Sequence, residues 1–199
     1  MAKALEPRKT PSQARSRATR EVILEAAARI LEGQTASPFT TNHIAEIAGV
    51  SIGTLYQYYP GKQAILAGLI LNMREVMLDD FRAALAGVDP GDLRACVEAG
   101  IRASLCHHLE RPALAEALEA AERRLPLDKD LLAIKQKMHA LIVALLARHQ
   151  IAHPERMAFD IIAIAHGMAE AAVQRGETDF ESLFHRINRA VIGYLSSGD

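Results

Sequence analysis

Residues 39–62 read FTTNHIAEIAGVSIGTLYQYYPGK, and this stretch decides the fold of the N-terminal part of the chain. It contains two short segments with helical spacing of apolar residues, separated by a glycine that can adopt the positive φ of a tight turn. Five positions at fixed offsets from Thr41 carry the residue types that a steep helix crossing needs: Ile44, Ala45, Gly49, Val50 and Leu55. This spacing is typical of a DNA-binding helix-turn-helix. An ordinary corner between two helices of a bundle is the alternative interpretation.

The second of these short helices carries side chains suited to nucleic acid. Its polar and aromatic residues are Ser51, Thr54, Tyr56, Gln57 and Tyr58, and Lys62 follows directly. Short hydroxyls, amides and phenols can bind phosphates and base edges. A helix that merely faces solvent more often carries Glu, Lys and Ala. The composition of this helix therefore favours DNA reading over a plain helical corner.

The rest of the chain is predicted to be all-α. Six prolines fall between segments with helical periodicity, and alternating β-branched runs are absent. About nine helices are expected, over residues 16–31, 41–48, 52–58, 62–85, 92–109, 112–124, 128–149, 155–175 and 180–195. Gly33 is expected to end the first of them.

Charge divides the chain into two parts. The 199 residues carry a formal net charge of −1, which argues against a protein that coats nucleic acid through bulk charge. Residues 1–62 hold eight basic and five acidic side chains, a charge of +3, whereas residues 63–199 sum to −4. No apolar run approaches the roughly 18 residues that span a bilayer, and no secretory signal is recognised. A cytoplasmic protein without a membrane partner is expected.

The segment from residue 16 to residue 66, and TLYQYYPGK within it above all, resembles the tetracycline-repressor-like (TetR) family of bacterial regulators. The resemblance implies a flexible basic arm (1–15), a three-helix helix-turn-helix domain (16–62) and a larger helical domain for effector binding and dimerisation (63–199). It implies a homodimer that binds a palindromic double-stranded DNA operator, most often as a repressor, and that a small-molecule effector releases. The implied DNA contacts are Thr40, Thr41, Asn42, Ser51, Ile52, Gly53, Thr54, Tyr56, Gln57, Tyr58 and Lys62.

Physical chemistry supports several of these contacts independently. The amide of Gln57 can pair with N6 and N7 of adenine, and Ile52 can pack against a thymine methyl group. In the family pattern, Tyr56, Tyr58 and Lys62 contact phosphates, whereas Leu55 and Tyr59 are core residues. The basic arm can add minor-groove contacts or can be a disordered solubilising tail.

The last two predicted helices have the composition of a dimer surface. Small residues allow two helices to approach closely, and a broad apolar stripe adds bulk, as in an intermolecular four-helix bundle. The predicted interface residues are Ala165, Ala169, Ala172, Phe180, Leu183, Phe184, Ile187, Val191 and Tyr194. Both helices could instead complete the core of a monomer.

The middle helices are candidates for an effector pocket, because methionine and phenylalanine suit an adaptable apolar site. The candidates are Met73, Met77, Phe81, Cys106, Met138, His139, Ile142, Phe159, Ile162 and His166. Plain core packing is the alternative for each of them. No HExxH, GxSxG or phosphate-loop motif is present, and Cys96 and Cys106 have no zinc-type spacing. No enzyme, metal or cofactor is therefore predicted. A helical ligand-binding protein that no longer reads DNA remains the competing class.

Overall fold

The computed structural model describes residues 14–33, 38–126 and 129–197 of the chain. Over these residues the chain is helical and contains no strand, so the predicted all-α class is confirmed. The described ranges contain nine helices: α1 (Ala14–Leu31), α2 (Thr41–Ile47), α3 (Ile52–Tyr58), α4 (Lys62–Ala86), α5 (Leu93–Glu110), α6 (Pro112–Glu122), α7 (Lys129–Arg148), α8 (Pro154–Gln174) and α9 (Phe180–Ser196). The predicted arm falls on residues 1–15, of which 1–13 lie outside the described ranges.

Prolines and capping side chains set the helix boundaries. Pro112 and Pro154 occupy the first position of α6 and α8, where a missing N–H leaves no hydrogen bond unmade. Asp179 caps α9, since its carboxylate accepts a hydrogen bond from the backbone N–H of Ser182 at 3.0 Å. Gly33 has φ of +71° just after α1, the conformation that ends a helix. None of the helices in the described ranges is both long and apolar enough to cross a membrane.

Packing divides the chain into two compact units. The first contains the described residues as far as Met73 together with those between Ala113 and Leu131, and the second contains Arg74–Pro112 and the described residues from Leu132 onward. α4 therefore begins in the first unit and ends in the second. The predicted division into an arm, a helix-turn-helix domain and an effector domain, with boundaries after residues 15 and 62, stays a prediction. The two compact units describe which residues pack together and not what each part does.

The first unit is built around buried aliphatic side chains of its helices. Ile23 of α1, Ile44 of α2, Leu55 of α3 and Ile65 of α4 are each fully buried in one apolar cluster. Leu118 of α6 belongs to the same cluster. Burial of an aliphatic side chain of this size contributes about 1.5–3 kcal/mol. The three N-terminal helices are therefore held by a core that α4 and α6 complete.

The core of the second unit is formed by the end of α4 together with α5, α7, α8 and α9. Phe184 and Ile187 of α9 are buried there, and the ring of Phe81 lies against Gly100 of α5 so closely that a Cβ at Gly100 would come within 2.7 Å of it. Arg102 of α5 lies 3.8 Å from the centre of the Phe184 ring and donates two hydrogen bonds to Glu181. α9 is thus fixed to α5 by apolar packing and by one ion pair.

Candidate nucleic-acid interface

α2 is a short helix with a well-defined start and end. Thr40 caps its start, where Oγ1 accepts a hydrogen bond from the backbone N–H of His43 at 3.3 Å. Gly49 follows its end with φ of +66°, and the N–H groups of Gly49 and Val50 donate to carbonyl oxygens of α2. The turn that the sequence predicts at Gly49 is therefore present.

α3 follows this turn and is also capped. The hydroxyl oxygen of Ser51 accepts a hydrogen bond from the N–H of Thr54 at 3.0 Å and lies 2.8 Å from the Thr54 hydroxyl. Both hydroxyls are therefore engaged within the cap. Leu55 is buried, which turns the opposite side of α3 outward. Gly53 and Gln57 lie on that outer side and are exposed. Ile52, at the first position of α3, is 39% exposed although it lies near the face of Leu55 and an isoleucine usually lies in a core.

A hydrogen bond connects the start of α2 with the middle of α3. The hydroxyl oxygens of Thr41 and Tyr56 are 3.2 Å apart, although the residues are fifteen positions apart in sequence. Tyr56 is 40% exposed and Thr41 is half-buried. The two short helices are thus joined at the surface as well as in the core.

Tyr59 fixes the end of α3 from inside. Its ring is fully buried, and its hydroxyl accepts a hydrogen bond from Nε of Arg20 in α1 at 3.3 Å. Burial raises the pKa of Tyr59, and the hydrogen bond from Arg20 offsets part of the rise. Gly68 of α4 makes room for the ring, because a Cβ there would lie 3.0 Å from Cε1 of Tyr59 and 3.3 Å from Leu24. α3 is therefore held between α1 and α4.

The structure brings most of the predicted DNA contacts to the outside of α2 and α3. The exposed ones are Thr40, Asn42, Ser51, Ile52, Gly53, Tyr56, Gln57 and Lys62, and Thr41 and Thr54 are half-buried. Tyr58 does not fit the prediction. It is 6% exposed and packs in the core, because it lies three residues after Leu55 on the same face of α3.

Two residues at this interface were not predicted from the sequence. The Nδ1 atom of His43 lies 3.3 Å from Oγ1 of Thr40, so the imidazole supports the cap of α2. Its position three residues after the cap is the signal that could have indicated this role. Arg20 supports Tyr59, and no spacing rule connects residues 39 positions apart.

The predicted dimer residues divide between core and surface. Six of the nine are buried by the chain's own core, namely Ala169, Ala172, Leu183, Phe184, Ile187 and Val191. The other three, Ala165, Phe180 and Tyr194, are half-buried. A side chain that its own chain covers cannot also contact a partner, so placing those six on a dimer surface is a wrong interpretation. Their periodicity was that of the core face of α8 and α9.

The predicted effector residues do not gather around one site. Phe81, Ile142, Met138 and Ile162 pack in the core of the second unit, whereas Met73 packs in the first. Met77 and His139 are half-buried, and His166 is exposed. Phe159 is 67% exposed, so its placement in an internal pocket is wrong; it lies across α8 from the buried Ala158 and Ile161.

Both cysteines of the described chain have a thiol pKa raised by their surroundings. Cys96 is buried, and burial raises the pKa of its thiol. A hydrogen bond to the carboxylate of Glu110 raises the pKa of the half-buried Cys106. Raised thiol pKa values disfavour the thiolate, the nucleophilic form. The described residues also contain no group of three or more His, Cys, Asp or Glu side chains that could hold a metal ion.

Comparison with protein families identifies both parts of the chain. Residues 23–69 match the model of bacterial regulatory proteins of the tetR family, and residues 92–195 match the tetracyclin repressor-like C-terminal domain. None of the curated proteins compared with the chain matches it.

Solved structures of regulators from several bacteria have the same fold. The fatty acid degradation regulator of Bacillus halodurans has a TM-score of 0.70 and 18% identity, over 87% of this chain and 97% of its own. A TetR transcriptional regulator from Rhodococcus sp. RHA1 has a TM-score of 0.64 and 21% identity, over 91% and 97%. A TetR-like regulator of Mycobacterium smegmatis, in complex with proflavine, has a TM-score of 0.60 and 23% identity, over 91% and 96%.

Proposed function

The chain belongs to the TetR family of bacterial transcriptional regulators, and we propose that it is a repressor that binds a palindromic operator as a homodimer. In this proposal a small-molecule effector releases it from DNA, and it works in the cytoplasm without any catalytic role. The proposal rests on one observation: most side chains predicted to contact DNA are exposed on or beside α2 and α3.

That surface offers both kinds of contact that operator recognition needs. Ile52 and Gln57 supply an apolar side chain and an amide for thymine and adenine edges in the major groove. A Cβ at Gly53 would meet only Ser51 Oγ, at 3.8 Å, so the backbone there is open to close approach by DNA. Lys62, exposed at the start of α4, supplies a cation for a phosphate.

We place the partner subunit on the outer side of α8. This side carries the exposed Phe159 followed by the small residues Ala163, Gly167 and Ala171 at four-residue intervals. Small residues allow a second helix to approach closely, and an exposed aromatic ring is a frequent anchor of an interface. Tyr194 of α9 donates a hydrogen bond to Asp160 and so fixes the two helices beside this surface.

We propose that the effector is an apolar small molecule that binds in the second unit, among the cluster of Phe81, Met138, Ile142 and Ile162. The similar Mycobacterium smegmatis regulator binds proflavine, an observation that supports a small-molecule ligand. α4 carries Phe81 near its end and Lys62 at its start. A shift of α4 would therefore change the spacing of the two recognition helices, which must match half-sites about 34–36 Å apart.

Selection from a library of randomised 30-base-pair duplexes tests this proposal. The purified wild-type chain should recover a palindromic sequence and bind it as a dimer with strong salt dependence. Size-exclusion chromatography with light scattering gives the stoichiometry of the complex. Recovery of no preferred duplex, even at low salt, would favour the helical ligand-binding protein that does not read DNA.

A further inference from the structure

Thr41 and Tyr56 form an isolated pair of hydroxyls on the outer surface of the first unit. Their oxygens are 3.2 Å apart, one at the start of α2 and one in the middle of α3. Among the described residues, neither hydroxyl has another hydrogen-bond partner. The neighbouring pair of Ser51 and Thr54 differs, because Ser51 also accepts a backbone N–H and closes the cap of α3.

The proton count of this pair limits what it can donate. Each hydroxyl carries one hydrogen, and one of the two hydrogens lies in the bond between them. One hydrogen remains, so the pair can donate a single hydrogen bond to a phosphate oxygen. The phenol is the stronger acid and the more exposed of the two groups. A phenol that accepts a hydrogen bond also becomes a better donor.

We propose that Thr41 and Tyr56 act as one DNA-contacting unit. Thr41 donates to the oxygen of Tyr56, and Tyr56 donates to one operator phosphate. Thr41 is then a positioning residue that acts through Tyr56, instead of a second and independent phosphate contact. This inference rests on the proposed function, since it requires DNA on the outer surface of α2 and α3.

A double-mutant cycle on operator affinity tests the proposal, with the duplex that the wild-type chain recovers from the randomised library as the probe. Tyr56→Phe removes the hydroxyl that donates to the phosphate and should weaken binding about tenfold. Thr41→Val keeps that hydroxyl but removes the hydrogen bond that orients it, and should weaken binding about threefold. The double variant should lose about tenfold, the same as Tyr56→Phe alone. Thr41→Ser keeps the hydroxyl and should bind nearly as well as wild type.

A matched cycle supplies the control. Gln57 has no hydrogen bond with Thr41 among the described residues, so the effects of Thr41→Val and Gln57→Ala should multiply. Stoichiometric titration gives the DNA-binding-competent fraction of each variant, so that partial misfolding does not enter the affinities. A loss of about thirtyfold in the Thr41→Val, Tyr56→Phe variant would show two independent contacts and overturn the proposal, although the proposed function would stand. Failure of the wild-type chain to recover any duplex would overturn both.

Discussion

Helical spacing predicted the exposed residues of the α2–α3 surface well and those of the α8–α9 pair poorly. On α2 and α3, most side chains predicted to contact DNA are on the outside, and the buried Ile44 and Leu55 hold the two helices together. On α8 and α9, most side chains predicted to contact a partner are buried in the chain's own core. A site built from one short segment follows from local spacing. Which apolar face of a long helix is free depends on distant helices that spacing does not reveal.

Two phenylalanines in the second unit give the largest expected contrast. Phe184→Ala removes a buried ring and should lower the free energy of unfolding by about 3–5 kcal/mol. Phe159→Ala removes a ring that is mostly exposed, so it should leave the stability of the monomer nearly unchanged and weaken dimerisation. Chemical denaturation and analytical ultracentrifugation measure the two effects. Equal losses of stability would mean that the α8 surface is covered within one chain.

The residues predicted to line an effector pocket show why burial on the long helices could not be predicted from the sequence. Met138 and Phe159 are both large and apolar at helical spacing, yet Met138 packs in the core and Phe159 faces outward. The difference arises from the neighbours of α7 and α8 in space. By contrast, the turn at Gly49 and the core position of Leu55 depend on residues within one turn or two, and the sequence predicts both.

A substitution at Gly53 should affect DNA binding and the stability of the first unit in opposite directions. Gly53→Ala adds a methyl group that meets no atom closer than 3.8 Å, so it should raise the free energy of unfolding by up to about 1 kcal/mol. The same methyl group would stand between the backbone and DNA, and operator affinity should fall about tenfold, the scale of one lost base contact. Thermal unfolding and fluorescence anisotropy measure the two quantities.

Gly193→Ala is the control for this variant. Gly193 is also helical and exposed, and a Cβ there meets nothing within 4 Å. It should give a similar gain in stability with unchanged operator affinity. Unchanged affinity in Gly53→Ala as well would remove α3 from close contact with the DNA backbone or bases.

Removal of the ion pair between Arg102 of α5 and Glu181 of α9 should give the smallest change in the free energy of unfolding. The hydrogen bond from Arg102 lowers the pKa of Glu181 in the folded chain. The contribution of the pair to stability is therefore complete above the ordinary pKa of a glutamate and disappears as the pH falls through the lowered value. Glu181→Gln should be less stable than wild type at pH 7, and the difference should vanish once the pH has fallen below the lowered pKa of Glu181.

Glu75→Gln, which alters an exposed glutamate of α4 without an ion pair among the described residues, is the matched control. It should unfold like wild type throughout this pH range. Denaturant midpoints at several pH values compare the three proteins. A difference between wild type and Glu181→Gln that persisted at low pH would show that the pair acts through packing instead of charge.

The base preference of a Gln57→Ala variant tests the central claim, that the outer surface of α3 reads operator bases. Affinities are measured for the recovered duplex and for every single-base change in one half-site. Discrimination should fall by about 1–3 kcal/mol at one base pair, while the preferences at the other positions are retained. A uniform loss at all positions, or an unchanged profile, would contradict the assignment of α3 as the reading helix.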